Sequence, residues 1–197
     1  MAPIIEALKV LPSDGNVLDI GCGNGAMLSE IRKLGEWHLF GIDSSESGVK
    51  LARSEGLDVR FADANTELLS HFTANSFDLI LTVEVIEHLQ DPRGLLRQAH
   101  TLLKPNGRIL LTTPYHGYLK NLLIALAGKG DSHYDPLWDA GHIKFWSQKT
   151  LSIALEENGF RGITFKGAGR YPFIWKSMVL SAFKDETERS LFNSQFE

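Results

Sequence analysis

Three glycines at alternate positions, Gly21, Gly23 and Gly25, follow an aspartate in the run Val17-Leu-Asp-Ile-Gly-Cys-Gly-Asn-Gly25. A glycine loop of this kind lets a ligand approach the backbone, and a helix that follows it presents free N–H groups. Gly21, Gly23 and Ala26 also satisfy the G-x-G-x-x-A spacing of dinucleotide binding, with Asp43 at a suitable distance. The loop alone therefore admits a nicotinamide dinucleotide, another nucleotide-bearing ligand, or a tight turn with no ligand. Asp19, just before the first glycine, weighs against the first of these, because its carboxylate would repel a pyrophosphate. Two more acids stand downstream, Asp43 and Asp63, the latter followed by Ala64. One carboxylate can accept from both hydroxyls of a ribose, and another from the exocyclic amine of an adenine.

These residues need elements to position them. Val17–Ile20 is a short apolar run that ends in the glycines. Met27, Leu28, Ile31 and Leu34 then recur at helical spacing, and Gly35 stops them. His38–Ile42 reads as a second strand, followed by a helix over 45–54 with Ser44 or Ser45 as its cap and Gly56 at its end. Val59–Ala62 is a third strand. Phe77–Val83 is a fourth, nearly continuous in apolar residues, as a strand buried on both faces should be. Leu95, Leu96, Ala99, Leu102 and Leu103 form a helical stripe, which Pro105-Asn-Gly107 is expected to stop. Arg108–Thr113 is a fifth strand, closed by Pro114. A helix over 148–158 ends at Gly159, and Ile163–Lys166 and Met178–Phe183 are expected to pair as an antiparallel hairpin. Alternating strands and helices imply parallel strands joined by right-handed crossovers. The expected class is α/β: a doubly wound, mostly parallel seven-stranded sheet with an antiparallel last strand and a helical insertion after strand five. Residues 1–184 are expected to form one domain, with 115–146 as a lid-like insertion and 185–197 as a polar tail.

Open parallel sheets bind ligands at the carboxyl ends of their strands. Asp43 ends strand two and Asp63-Ala64 ends strand three, while Asp19 sits at the end of strand one. Each acid alone can be a helix cap or a turn residue. Three at consecutive strand ends suit a ligand that carries a cation, a ribose and an adenine. S-adenosylmethionine, with its ammonium and sulfonium charges, is such a ligand.

Val17-Leu-Asp-Ile-Gly-Cys-Gly-Asn-Gly25 resembles motif I of the class I S-adenosylmethionine-dependent methyltransferases. Gly41-Ile-Asp43 resembles their acidic ribose loop, and Phe61-Ala-Asp-Ala64 their adenine motif. Phe77-Asp-Leu-Ile-Leu-Thr-Val-Glu-Val-Ile-Glu-His-Leu89 is similar to their fourth strand and the loop after it, and 102–114 to the stretch into strand five. The similarity runs from about residue 16 to 184, and its subgroup is similar to the ubiquinone-biosynthesis-type small-molecule O-methyltransferases. It implies a Rossmann-like fold and methyl transfer to a small-molecule acceptor, at an oxygen, with S-adenosylhomocysteine as product. By position, Gly21, Gly23 and Gly25 would line the methionine end, and Asp19 would belong to the same cofactor site. Asp43 would hold the ribose, Asp63 and Ala64 the adenine, and Val83 would pass near the sulfonium. Only about 16 residues precede motif I, fewer than the helices that often cover such sites, so the expectation is that the lid is missing or supplied by another segment.

The 115–146 insertion is the natural acceptor side, with Tyr115, His116, Tyr118, His133, Tyr134, Trp138, His142, Phe145 and Trp146. Leu119, Leu122, Leu123 and Leu126 fall on one helical face. The expected arrangement is a lid over an aromatic-lined pocket; an ordinary packed insertion, or a membrane-surface segment flanked by Lys120 and Lys129, is the alternative. Methyl transfer is an in-line displacement, and a base is needed only for a neutral hydroxyl or a protonated amine. His88, just past strand four, and His142, in Gly-His-Ile-Lys-Phe-Trp, are the candidate catalytic bases, with a helix cap and a structural hydrogen bond as their alternatives. Glu84, Glu87 and His88 would share a face if helical, and two carboxylates and an imidazole can hold a divalent cation. The same string occurs in metal-free class I enzymes, with Glu84 lining the cofactor site and Glu87 at a helix N-terminus, and no metal is assigned.

Composition bounds the rest. The 197 residues are 43% hydrophobic and 22% charged, as in an ordinary globular domain. Twenty basic residues against 24 acidic ones give a net charge of −4, so no nucleic-acid footprint is expected. A single cysteine, Cys22, excludes an internal disulfide and a cysteine-only metal cluster. The longest apolar stretch, 119–127, is far short of the ~20 residues of a membrane span. The N-terminus has no basic region before an apolar core, so neither a signal peptide nor a location outside the cytoplasm is expected. The helix over 118–129 could also serve as an interface, which makes a homodimer compatible with the sequence. Two other functions remain open: a cofactor-binding protein that is non-catalytic or partner-dependent, and a nicotinamide-dependent oxidoreductase.

Overall fold

The computed structural model describes residues 1–64, 68–139 and 141–185. Seven strands form one sheet: β1 (Asn16–Ile20), β2 (His38–Asp43), β3 (Asp58–Phe61), β4 (Phe77–Val83), β5 (Leu103–Pro114), β6 (Phe160–Ala168) and β7 (Ser177–Lys184). Their order is β3-β2-β1-β4-β5-β7-β6. The first five are parallel, and β7 lies antiparallel between β5 and β6. This is the doubly wound, mostly parallel architecture expected from the alternation of periods. The order reverses between β1 and β4, so their carboxyl ends flank the crevice where such sheets bind ligands.

Helices cover both faces. One face carries α4 (Leu68–His71), α5 (Pro92–Leu102) and α8 (Gln148–Glu157) over Leu18, Ile20, Ile80, Ile109 and Leu180. The other carries α1 (Ala2–Leu8), α2 (Ala26–Arg32) and α3 (Glu46–Ser54). Alternate strand residues such as Val17, Leu79, Leu81 and Leu110 meet α1 there, which is why these strands are apolar on both faces. Helix α1 thus lies on the flank of the sheet, among Val17, Leu79 and Val179. Two caps match their sequence signals: Ser45 accepts from Gly48 N–H at 3.2 Å, and Asp91 from Gly94 N–H at 2.8 Å.

The structure corrects three local expectations. Pro105-Asn-Gly107 does not lie between helix and strand: β5 already begins at Leu103, with Asn106 at φ 58° and a register break opposite Phe77 and Leu79. Glu84, Glu87 and His88 do not share an α-helical face, because only a 3-10 turn, Ile86–His88, follows β4. The last two strands are longer than their apolar stretches, since β7 has a partner on each side. The insertion holds α6 (Tyr118–Leu126) and α7 (Gly130–Tyr134). Among the described residues no helix is long and apolar enough to cross a membrane. Beyond Asp185, the expected polar tail lies outside the described residues.

Candidate active site

The glycine loop is tied to the neighbouring strand. Gly21 and Cys22 N–H both donate to the Ile42 carbonyl, at 2.8 and 3.1 Å, so the loop folds over the end of β2. Gly21, Gly23 and Gly25 all have positive φ, a region closed to most side chains. Their surroundings differ. A Cβ at Gly25 would stand 2.4 Å from Leu57 Cδ1 and 3.0 Å from Ala52 Cβ, so Gly25 lets α2 start close against α3. A Cβ at Gly23 would meet nothing within 4 Å, which leaves backbone facing open space.

Asp43, at the end of β2, holds this loop and the next. Its Oδ2 accepts from Gly23 N–H and its Oδ1 from Ser45 N–H, both at 2.7 Å. Asp19 is 2% exposed, and its Oδ1 has no hydrogen-bond partner. Burial, and then the charge of Asp43, push its carboxyl up to about 7. The same burial pushes the Cys22 thiol up to about 12, so it is no nucleophile.

A cavity of about 480 Å³ opens at this end of the sheet, in the size range of small-molecule sites. Gly21, Asp43, Asp63, Ala64 and His88 line it, so five of the residues expected as catalytic or cofactor-binding meet on one surface. Asp19, Gly23, Gly25, Val83 and His142 are not on its wall. Ser44, Val85 and Leu89 are, and sequence reasoning missed them. Val85 lies inside the E-x-x-E-H string and Leu89 directly after it, and that position was the available signal.

The wall also contains Glu84. It has φ 56°, costly for a residue with a Cβ. Thr112 holds it there: Glu84 N–H donates to the Thr112 carbonyl at 3.0 Å, and the Thr112 hydroxyl donates to Glu84 Oε1 at 2.8 Å. This turn brings Glu87, His88 and His142 together, with one ligand atom from each within 4.8 Å of the others. His142 Nε2 is 4.0 Å from Glu87 Oε1, and the two imidazole rings are 4.8 Å apart. The segment is fixed by Ile143 and Lys144 N–H, which donate to the Glu87 carbonyl at 2.9 and 3.0 Å. His88 Nδ1 lies 3.2 Å from the Gly141 carbonyl, which can only accept, so Nδ1–H donates to it, and in the neutral tautomer that this contact selects the lone pair is on Nε2. Glu87 is fully buried, and burial raises its carboxyl to about 7. Thr113 faces it and favours ionisation, yet neither carboxylate oxygen has a partner at hydrogen-bonding geometry. Burial and the neighbouring His88 hold His142 below the usual imidazole range.

The family model for a methyltransferase domain matches residues 1–164. The chain belongs to the methyltransferase domain family. Among curated relatives of this domain, ubiquinone biosynthesis O-methyltransferase of Caulobacter vibrioides is 39% identical over 122 residues, 59% of this chain and 48% of that protein. Its namesake in Ruegeria pomeroyi is 29% identical over 164 residues, 81% of this chain and 65% of that protein. The methyltransferase domain described here thus spans about half to two thirds of the length of these relatives. Its fold matches Haemonchus contortus phosphoethanolamine N-methyltransferase 2 in complex with S-adenosylmethionine, with TM-score 0.73 at 15% identity over 94% of this chain and 52% of that one. It also matches an S-adenosylmethionine-dependent methyltransferase of Mesorhizobium loti, with TM-score 0.71 at 18% identity over 93% of this chain and 98% of that one.

Proposed function

We propose that this chain binds S-adenosylmethionine and transfers its methyl group to an oxygen of a small-molecule acceptor. The observation that carries the reading is the meeting of Gly21, Asp43, Asp63-Ala64 and His88 on one cavity at the carboxyl ends of the parallel strands. The residues fit the cofactor: acids for the ribose and the adenine amine, and open backbone at Gly23 for close approach. The names of the curated relatives support an oxygen as the acceptor atom. Bound, the cofactor supplies an electrophilic methyl carbon on a sulfonium.

In this reading Asp43 holds the ribose while fixing the loop, and Asp63 with Ala64 holds the adenine. Asp19 answers the cation of the methionine end, and Val83 ends beside the sulfur. His88, with its Nε2 lone pair, takes the proton of the acceptor hydroxyl, and His142 stands beside it. A deprotonated oxygen is the better nucleophile, and base catalysis of this kind contributes about 10²–10⁴-fold.

A second reading rests on the grouping of Glu87, His88 and His142. A carboxylate and two imidazoles can hold a divalent cation, which would acidify a catechol-type hydroxyl directly. One assay tests both. The chain is incubated with methyl-labelled S-adenosylmethionine and a panel of phenols, catechols and amines, with Mg²⁺ and with a chelator. The base reading expects label on oxygen in both conditions and a loss of about 10²-fold or more in His88→Ala. The cation reading expects label only with the metal. Label on nitrogen alone contradicts the oxygen assignment, and binding without transfer points to a cofactor-binding protein that lacks turnover.

A further inference from the structure

A second polar cluster, in the insertion between β5 and α8, takes no part in the reaction above. His116 follows β5, and its backbone N–H donates to the Trp146 carbonyl at 3.1 Å. The rings of His133, Tyr134 and Phe145 enclose it at centroid distances of 5.6, 6.2 and 5.1 Å. His116 is only 7% exposed; the Asn121 side chain beside it favours its charged form, yet neither ring nitrogen has a partner at hydrogen-bonding geometry. His133 Nε2 and Asn121 Oδ1 are likewise buried without one. Buried polar groups are satisfied in all but a few cases, so several in one place need an explanation.

Helix α6 supplies an independent observation. Its half-buried positions include Lys120 and Asn121, whereas Leu119, Leu122, Leu123 and Leu126 are exposed. An amphipathic helix on a protein surface ordinarily turns the other way. Among the described residues Lys120 has no carboxylate in ion-pair range, and its ammonium donates to the Lys176 carbonyl at 3.4 Å. Burial holds Lys120 below its ordinary range, and burial with the Lys120 charge pushes His116 down to about 4. His133 and His142 act on His116 in the same sense. The cluster is thus rich in donors, largely buried and, among the described residues, without a carboxylate in ion-pair range, and it lies in the insertion that the methyl-transfer reading assigns to the acceptor.

We propose that His116, Lys120 and His133 form a receptor for an oxyanion, a carboxylate or phosphate borne by the methyl acceptor. The receptor rests on the methyl-transfer reading and narrows its substrate class to acidic acceptors. Charge-assisted hydrogen bonds from two imidazoles and an ammonium would hold the anion, and it would give the buried nitrogens their partner.

The test is calorimetric titration of benzoate, phenyl phosphate and neutral catechol into the full chain saturated with S-adenosylhomocysteine, in buffer free of phosphate and sulfate. One anion should bind about tenfold or more tightly than catechol, the scale of one charge-assisted hydrogen bond. Lys120→Met and His116→Asn should each remove that advantage and leave the catechol and S-adenosylhomocysteine affinities unchanged. Preference for benzoate assigns a carboxylate, and preference for phenyl phosphate a phosphate. Anions that bind no better than catechol, or variants that bind them as well as the parent, overturn the receptor and leave methyl transfer standing. A chain that binds no S-adenosylhomocysteine overturns the methyl-transfer reading instead, and the same titrations without it still decide the receptor. Lys120 is half-exposed, so Lys120→Met keeps the test decisive if His116→Asn does not fold.

Discussion

Burial raises the Asp19 carboxyl toward neutrality, so a cation beside it would draw off its proton. Its carboxyl titrates at about 7 because it is buried beside Asp43, and a positive charge at the methionine end lowers that value. Binding of S-adenosylhomocysteine at pH 6 should therefore release protons, read as a dependence of binding enthalpy on buffer ionisation enthalpy, and Asp19→Asn should abolish the release. The same shift bears on stability. A carboxyl raised from 3.8 to about 7 on folding stabilises the native state below pH 4, and the contribution is lost as pH rises through 7. Glu87, raised to about 7, acts in the same direction, whereas His116, lowered to about 4, adds stability as pH rises from 4 to 6.5. Asp19→Asn should thus melt above the parent protein at pH 8, with the gain shrinking toward pH 5. Asp43→Ala removes the proposed ribose acceptor and the acceptor of two loop N–H groups. It should weaken S-adenosylhomocysteine binding by about 1.5–3 kcal/mol, and unchanged affinity in calorimetry would remove Asp43 from the site.

At the scale of elements, the glycine loop separates packing from binding. Gly25→Ala forces a Cβ into Leu57 at φ 77°, and should cost about 2 kcal/mol or more, several degrees of melting temperature. Gly23→Ala meets no neighbour and should melt closer to the parent, yet bind S-adenosylhomocysteine more weakly. Equal melting of the two variants would contradict this division. Most elements were legible because apolar period fixes strand or helix locally: β4 has the bounds its apolar run predicts, Phe77–Val83. What escaped depends on distant partners. Pro105-Asn-Gly107 reads as a break, yet pairing of β5 with β4 and β7 carries the strand through Leu103. Glu84, Glu87 and His88 read as one helical face, yet Thr112, 28 residues away, holds Glu84 at a φ that no helix uses. The inward turn of Lys120 and Asn121 on α6 was equally hidden, because four leucines at helical spacing ordinarily point to a core.

For the whole molecule, strand order decides where the candidate site lies. The reversal between β1 and β4 gathers the ends of β1, β2 and β3 and the turn after β4 around one cavity, from residues up to 68 positions apart in sequence, Gly21 to Leu89. Asp43 and Asp63 were legible as candidate ligand acids because each falls at a strand end, whereas Ser44 and Leu89, next to Asp43 and His88 in sequence, carry no side-chain chemistry that singles them out. The central claim is that this cavity holds a ribose and an adenine with a cation rather than a dinucleotide pyrophosphate. Calorimetric titration of the purified chain with S-adenosylhomocysteine, with NAD as the parallel control, tests it most directly. The first should bind with roughly micromolar affinity, about −8 kcal/mol, and the second not at all. Binding of NAD, or of neither ligand, would contradict it.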